Sequence, residues 1–267
     1  MKIFFNTLSI LIGLIFFLSL LGIVLVAWIF WVYGQNLPDY NQLSKYEPPV
    51  VSRVYASNGA LLAEFAKEKR VFVPIQSIPS LIIEAFLSSE DKDFYNHIGL
   101  DFKAIVRASL TNAKNFKSGK RAIGASTITQ QIAKNFLLSS DYSFERKLKE
   151  AILSLRIERT FSKDHILELY LNEIYLGFNS YGIAAASLNY FNKSLPELTL
   201  PEVAYLAALP KGPNNYHPVR KKKQAIIRRN WVLSQMFENG IITEDEFKKA
   251  SLEDLKVSYS SGFDAAY

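Results

Sequence analysis

Residues 3–38 carry no charge, and apolar residues run almost unbroken through 10–18 and 20–26. A bilayer core needs ~20 apolar residues of helix, whereas the apolar part of a cleaved signal peptide has ~7–15 before a small-residue cleavage site. This run is longer and ends in Trp28, Trp31 and Tyr33, the aromatic flank of a span. The pattern predicts an uncleaved single-pass anchor within residues 1–35. Prolines 38, 48 and 49 then predict a linker over 36–50. Residues 53–57 and 60–65 flank Asn58-Gly59, a hairpin signal because both turn positions accept positive φ. Residues 71–73, before Pro74, read as a third strand.

After Pro79 the period lengthens. Apolar residues recur at 81, 82, 85 and 86, at 102, 105, 106 and 110, at 148, 152, 153, 155 and 157, and at 166, 167, 170 and 171, the spacing of helices with one buried face. Ser162 reads as a helix start, as do Thr199 with Glu202 and Thr243 with Glu246, which have capping-box spacing. The expected fold is mainly α over 51–250, with a small β element near the membrane. Residues 251–267 weaken into a polar tail, where a further region could begin.

There is no cysteine, hence no disulfide framework and no thiolate nucleophile or thiolate metal site. A formal charge of +6 suits an anionic partner. The anchor favours a lipid surface or a phosphorylated substrate over nucleic acid. Only Lys2 and the amino terminus are positive on the short flank, with no acid opposing them. The positive-inside rule therefore places the N-terminus in the cytoplasm and the bulk outside it.

Candidate chemistry begins at Glu90, where an apolar helix pattern ends. A carboxylate there is partly desolvated, which raises its pKa and makes it a usable base. A lone Glu at a helix end is by default solvated, but Asp91, Phe94, His97 and Gly99 follow at short spacing. Gly124 precedes Ser126-Thr127-Ile128-Thr129-Gln130-Gln131. Here Ser126 reads as a helix cap, with the first N–H groups left for an anion. Gln130 with Lys134, and Gln131 with Asn135, are four apart and share a face. Arg146, Lys147 and Glu150 lie at i, i+1 and i+4. By default they are surface ion pairs. Read functionally, the cations neutralise a pyrophosphate leaving group, while Glu150 orients them or holds a divalent ion (Mg or Mn). The segment 163–173 reads as structural support, and the basic runs 220–223 and 228–229 as a solvated face able to meet lipid phosphates.

Five segments then stand in order: Glu90-Asp91-x-x-Phe94-x-x-His97-x-Gly99; Gly124-x-Ser126-Thr127-Ile128-Thr129-Gln130-Gln131; Arg146-Lys147-x-x-Glu150; Lys163-x-x-Ile166-Leu167-Glu168-x-Tyr170-Leu171-Asn172; and Arg228-Arg229-Asn230-x-Val232-Leu233. Together they resemble the signature motifs of the bacterial peptidoglycan glycosyltransferases. That domain forms the N-terminal half of class A penicillin-binding proteins and also occurs as a monofunctional enzyme.

The resemblance implies a lysozyme-like, mainly α fold with a membrane-dipping subdomain between the first two motifs. It implies an inner-membrane protein with a periplasmic catalytic domain that polymerises lipid II into β-1,4 glycan and releases undecaprenyl pyrophosphate. No cofactor is required. The expected partners are lipid II, the growing strand, the membrane and other cell-wall synthesis proteins. Glu90 matches the general base and Glu150 the second essential acid. Lys134, Arg146 and Lys147 match pyrophosphate-binding cations. Ser126, Thr127, Gln130 and Gln131 match the substrate-binding motif, and Asp91, Phe94 and His97 match residues around the base. Tyr142 stands where many members carry Arg, which removes one charge from the pocket. The chain has no Lys-Thr-Gly, and its one Ser-x-x-Lys, Ser89 to Lys92, falls inside the first motif. The expectation is therefore a monofunctional enzyme or a piece of a bifunctional one, with the polar tail favouring the latter. The rival readings are a lysozyme-like glycan hydrolase using Glu90 as acid, and an inactive anchored scaffold.

Overall fold

The computed structural model describes residues 2–35, 37–45, 52–55, 61–65, 69–116, 124–138 and 143–258. Helix α1 (Lys2–Gly34) holds the apolar run, and residues 10–34 are long and apolar enough to cross a bilayer, with none of that window buried against the domain. Its last turn is tied down: Arg156 Nη2 donates to the Gly34 carbonyl at 3.1 Å. The expected linker is docked in part. A 3₁₀ turn (Tyr40–Lys45) follows, and Leu43 is 1% exposed within the core. An apolar side chain four residues after Asp39 was available to bury, and the prolines did not prevent it.

Strands β1 (Ser52–Tyr55) and β2 (Leu61–Phe65) pair antiparallel as the hairpin pattern predicts; the Asn58-Gly59 turn lies outside the described residues. Residues 71–73 are not a strand. Strand β3 (Lys69–Arg70) pairs parallel with β4 (Ser180–Tyr181), just upstream of the predicted position. Val73 instead has its N–H and C=O both taken by the Asn172 side chain, at 2.8 and 2.9 Å. Glu168 accepts the Ile75 N–H. The fourth motif thus clamps the chain entering α2, the supporting role its residues suggested.

The rest is helical: α2 (Ser80–Glu90), α3 (Phe102–Phe116), α4 (Ile128–Ile132), α5 (Phe144–Thr160), α6 (Lys163–Glu173), α7 (Ile183–Phe191), α8 (Leu200–Ala208), α9 (Lys222–Glu238) and α10 (Glu244–Leu252). The predicted caps form at Ser162, Thr199 and Thr243, the last two as full capping boxes. Helix α8 is buried on most sides through Val203, Ala204, Tyr205, Leu206, Ala207 and Ala208. Its alanines let α2 and α9 pack closely on it.

Helix α3 is the exception. It has no buried residue, and Phe102, Val106, Leu110 and Phe116 are all exposed. It is amphipathic, and among the described residues its apolar stripe is not packed into the core.

Candidate active site

Helix α2 ends at Glu90 because Asp91 is extended (φ −160°) and leaves the helix. Glu90 is thereby left at the wall of a cleft, and Asp91 turns away from it. Gln131 Nε2 donates to Glu90 Oε2 at 2.8 Å, and the Tyr170 hydroxyl lies 3.5 Å from the Gln131 carbonyl oxygen, which orients the amide. Burial pushes the Glu90 carboxyl above its usual range. The Gln131 hydrogen bond and the Arg228 and Lys211 charges pull it back, and the neighbouring Asp91 adds to the rise. Burial and the Glu90 charge likewise push the Tyr170 phenol well up.

Asp91 does not face the cleft as a second free acid. Its carboxylate oxygens lie 3.0 Å from His97 Nε2, and Oδ2 also accepts the Ile128 N–H at 2.9 Å. Gly99 N–H donates to His97 Nδ1 at 3.1 Å, so the ring proton sits on Nε2 and goes to Asp91. Gly99 has φ +101°, and a Cβ there would lie 2.6 Å from the Ser154 carbonyl oxygen. Gly99→Ala is therefore expected to cost about 1–3 kcal/mol of stability, read as a lowered midpoint in thermal unfolding of the detergent-solubilised chain.

The second motif departs from its sequence reading in one respect. Thr127, not Ser126, caps α4: its hydroxyl accepts the Gln130 N–H, and Gln130 Oε1 accepts the Thr127 N–H. Ser126 is used elsewhere, accepting from Lys147 Nζ at 2.9 Å. The expected anion site on the first N–H groups is filled by the Asp91 carboxylate. After five residues α4 widens into a π segment (Ala133–Leu137) that carries Lys134.

Glu150 is 2% exposed, so its pairs are not the surface pairs expected by default. Arg146 Nε lies 3.2 Å from Oε1 and Lys147 Nζ 2.6 Å from Oε2. Removing one partner of such a buried pair leaves an uncompensated charge. With a cation on each oxygen, Glu150 is placed to orient the cations.

A cleft of about 760 Å³ gathers Glu90, Ser126, Gln130, Gln131, Lys134, Arg146, Lys147 and Glu150, with Ile105 and Phe144 among its apolar walls. Smaller cavities flank it. One of about 170 Å³ is lined by Glu90, Asp91, Thr127, Arg107 and Trp231. Another, of about 360 Å³, is lined by Gln131, Lys134, Asn135, Tyr175 and Tyr181. Phe94 and His97 line none of the three; Phe94 is fully buried. Tyr142 lies outside the described residues.

The basic pair 228–229 is not a solvated face. Arg229 is 0% exposed and donates to the Ser251 carbonyl and the Asn230 side chain. The guanidinium of Arg228 lies 3.7 Å from the Trp231 ring centroid and bears on Glu90. The signal for Arg229 was available, since it falls on the buried stripe of Ala225, Val232 and Met236. Tertiary packing that no local pattern encodes brings the Arg228 charge to bear on Glu90.

Residues 58–237 match the transglycosylase family. Penicillin-binding protein 1A of Rickettsia conorii is 53% identical over 234 residues, covering 88% of this chain and 30% of that protein. Penicillin-binding protein 1A of Aquifex aeolicus is 44% identical over 246 residues, covering 90% and 33%. A crystal structure of penicillin-binding protein 1A from Haemophilus influenzae aligns with a TM-score of 0.47 at 28% identity, covering 81% of this chain and 22% of that one. The chain spans about a third of the length of the curated relatives it matches. A match running from the β1–β2 hairpin to the end of α9, and so taking in Glu90, the α4 amides and the cation cluster, places this chain in the transglycosylase family.

Proposed function

We propose that this chain polymerises lipid II into β-1,4 glycan and releases undecaprenyl pyrophosphate. One observation carries this reading: a desolvated carboxylate and a buried-acid cation cluster share one cleft. Glu90 takes the proton from the acceptor's 4-hydroxyl. That oxygen attacks the donor's C1, and the C1–O bond to the pyrophosphate breaks. Lys134, Arg146 and Lys147 meet the charge that builds on the phosphate oxygens, and Glu150 holds Arg146 and Lys147 in register.

The domain division into anchor, docked linker, catalytic domain and polar tail belongs to the same proposal, with the domain in the periplasm and no transpeptidase site in this stretch. Assay of the solubilised chain on lipid II tests the reaction. Glycan product with one lipid pyrophosphate released per bond formed is expected, and muropeptide release from preformed glycan would instead establish a hydrolase. Protease added to spheroplasts should digest residues beyond 39; full protection would reverse the topology.

A further inference from the structure

We propose that Thr129, Glu158 and Lys163 are positioning residues for Glu90, acting through α4. The regular α-helical part of α4 is five residues long before it widens into the π segment, so a long run of regular α-helical hydrogen bonds does not fix its start. Three successive residues at its start are instead pinned to three different groups. Thr127 Oγ1 donates to the Gly99 carbonyl at 2.7 Å, the Ile128 N–H donates to Asp91 at 2.9 Å, and Thr129 Oγ1 donates to Glu158 Oε1 at 2.6 Å. Two residues on, Gln131 has the amide that holds Glu90.

Glu158 is itself fixed. Its side chain is 5% exposed, and Lys163 Nζ lies 2.7 Å from the same oxygen. The Lys163 ammonium also sits 4.4 Å from the Phe94 ring centroid. A buried carboxylate needs such a partner, and here the partner comes from α6. The acid from α5 and the lysine from α6 thus make a rigid post against which α4 is set. None of the three lines the cleft containing Glu90, so their effect passes through the angle at which Gln131 meets the base. Catalytic geometry is sensitive to displacements of this kind, about 100-fold for roughly 1 Å.

The inference rests on the glycosyltransferase reading. Thr129→Val keeps the side-chain shape and removes the hydroxyl, whereas Thr129→Ser keeps the hydroxyl. On lipid II, Thr129→Val should lower kcat by on the order of 10- to 100-fold with KM within about twofold. Thr129→Ser should restore most of the rate. Glu158→Leu should lower kcat in the same way, with folding followed by circular dichroism; should it fail to fold, the two Thr129 variants decide. Wild-type kcat in folded Thr129→Val, a loss confined to KM, or a loss that Thr129→Ser does not reverse would overturn the positioning role. Wild type that makes no glycan would reject the glycosyltransferase reading instead.

Discussion

Glu90→Gln is expected to leave a folded protein that has lost nearly all polymerisation, about 100- to 10,000-fold in kcat. The amide can keep a hydrogen bond to Gln131 but cannot take the acceptor's proton. Circular dichroism and a lipid II assay on the same preparation check it; a folded variant with more than about a tenth of the wild-type rate is incompatible with a general base. The pH profile of the wild type supplies a second readout. The base works ionised, and burial raises its pKa. The acidic limb of kcat/KM should therefore fall at a higher pH than an ordinary glutamate would give. Arg228 and Lys211 oppose that rise, so Arg228→Gln should move the limb further toward neutral pH.

Lys134→Ala and Arg146→Ala should each slow lipid II polymerisation by about 2–4 kcal/mol of barrier, comparable to losing one oxyanion donor. Charge grows on the phosphate oxygens as the C1–O bond breaks. Fixed cations therefore act more on the transition state than on bound substrate, and turnover should fall more than affinity. Arg146→Ala also strips one cation from the buried Glu150, so its stability must be measured beside its rate. Lys134 is exposed, and Lys134→Ala should be clean in that respect. Unchanged polymerisation in both variants would remove the cluster from the reaction. A hydrolase would show no such dependence, because its leaving group is a sugar hydroxyl protonated by the acid.

Local rules reached the parts of this protein that are local. The N-terminal apolar helix, the hairpin, three helix caps and the pairing of Glu150 with Arg146 and Lys147 each follow from local sequence. Ser126 shows the limit of choosing between neighbours. Serine and threonine both cap well, and the choice of Thr127 followed from Gln130 three residues on, a spacing recognised at Thr199 and Thr243. Arg229 lay in a buried stripe, but its charge argued for solvent, and backbone and amide oxygens overruled the charge. Three relations were out of reach altogether: the charge of Arg228 acting on Glu90, Thr129 on Glu158, and Asn172 around Val73. Each joins residues at least 29 positions apart, and only packing of whole helices brings them together.

The buried base also sets this protein against itself under selection. Because burial raises the Glu90 pKa, the folded chain holds a proton at this site more tightly than the unfolded chain does. The resulting contribution to stability is complete below the unfolded pKa and is lost as pH rises through the folded one. The ionised form that the proposed mechanism needs is the form the fold disfavours. A campaign that ranks variants by heat resistance alone will therefore favour neutral side chains at position 90, and drift toward inactive protein. Any thermostabilised descendant of this chain has to be selected on turnover and melting together.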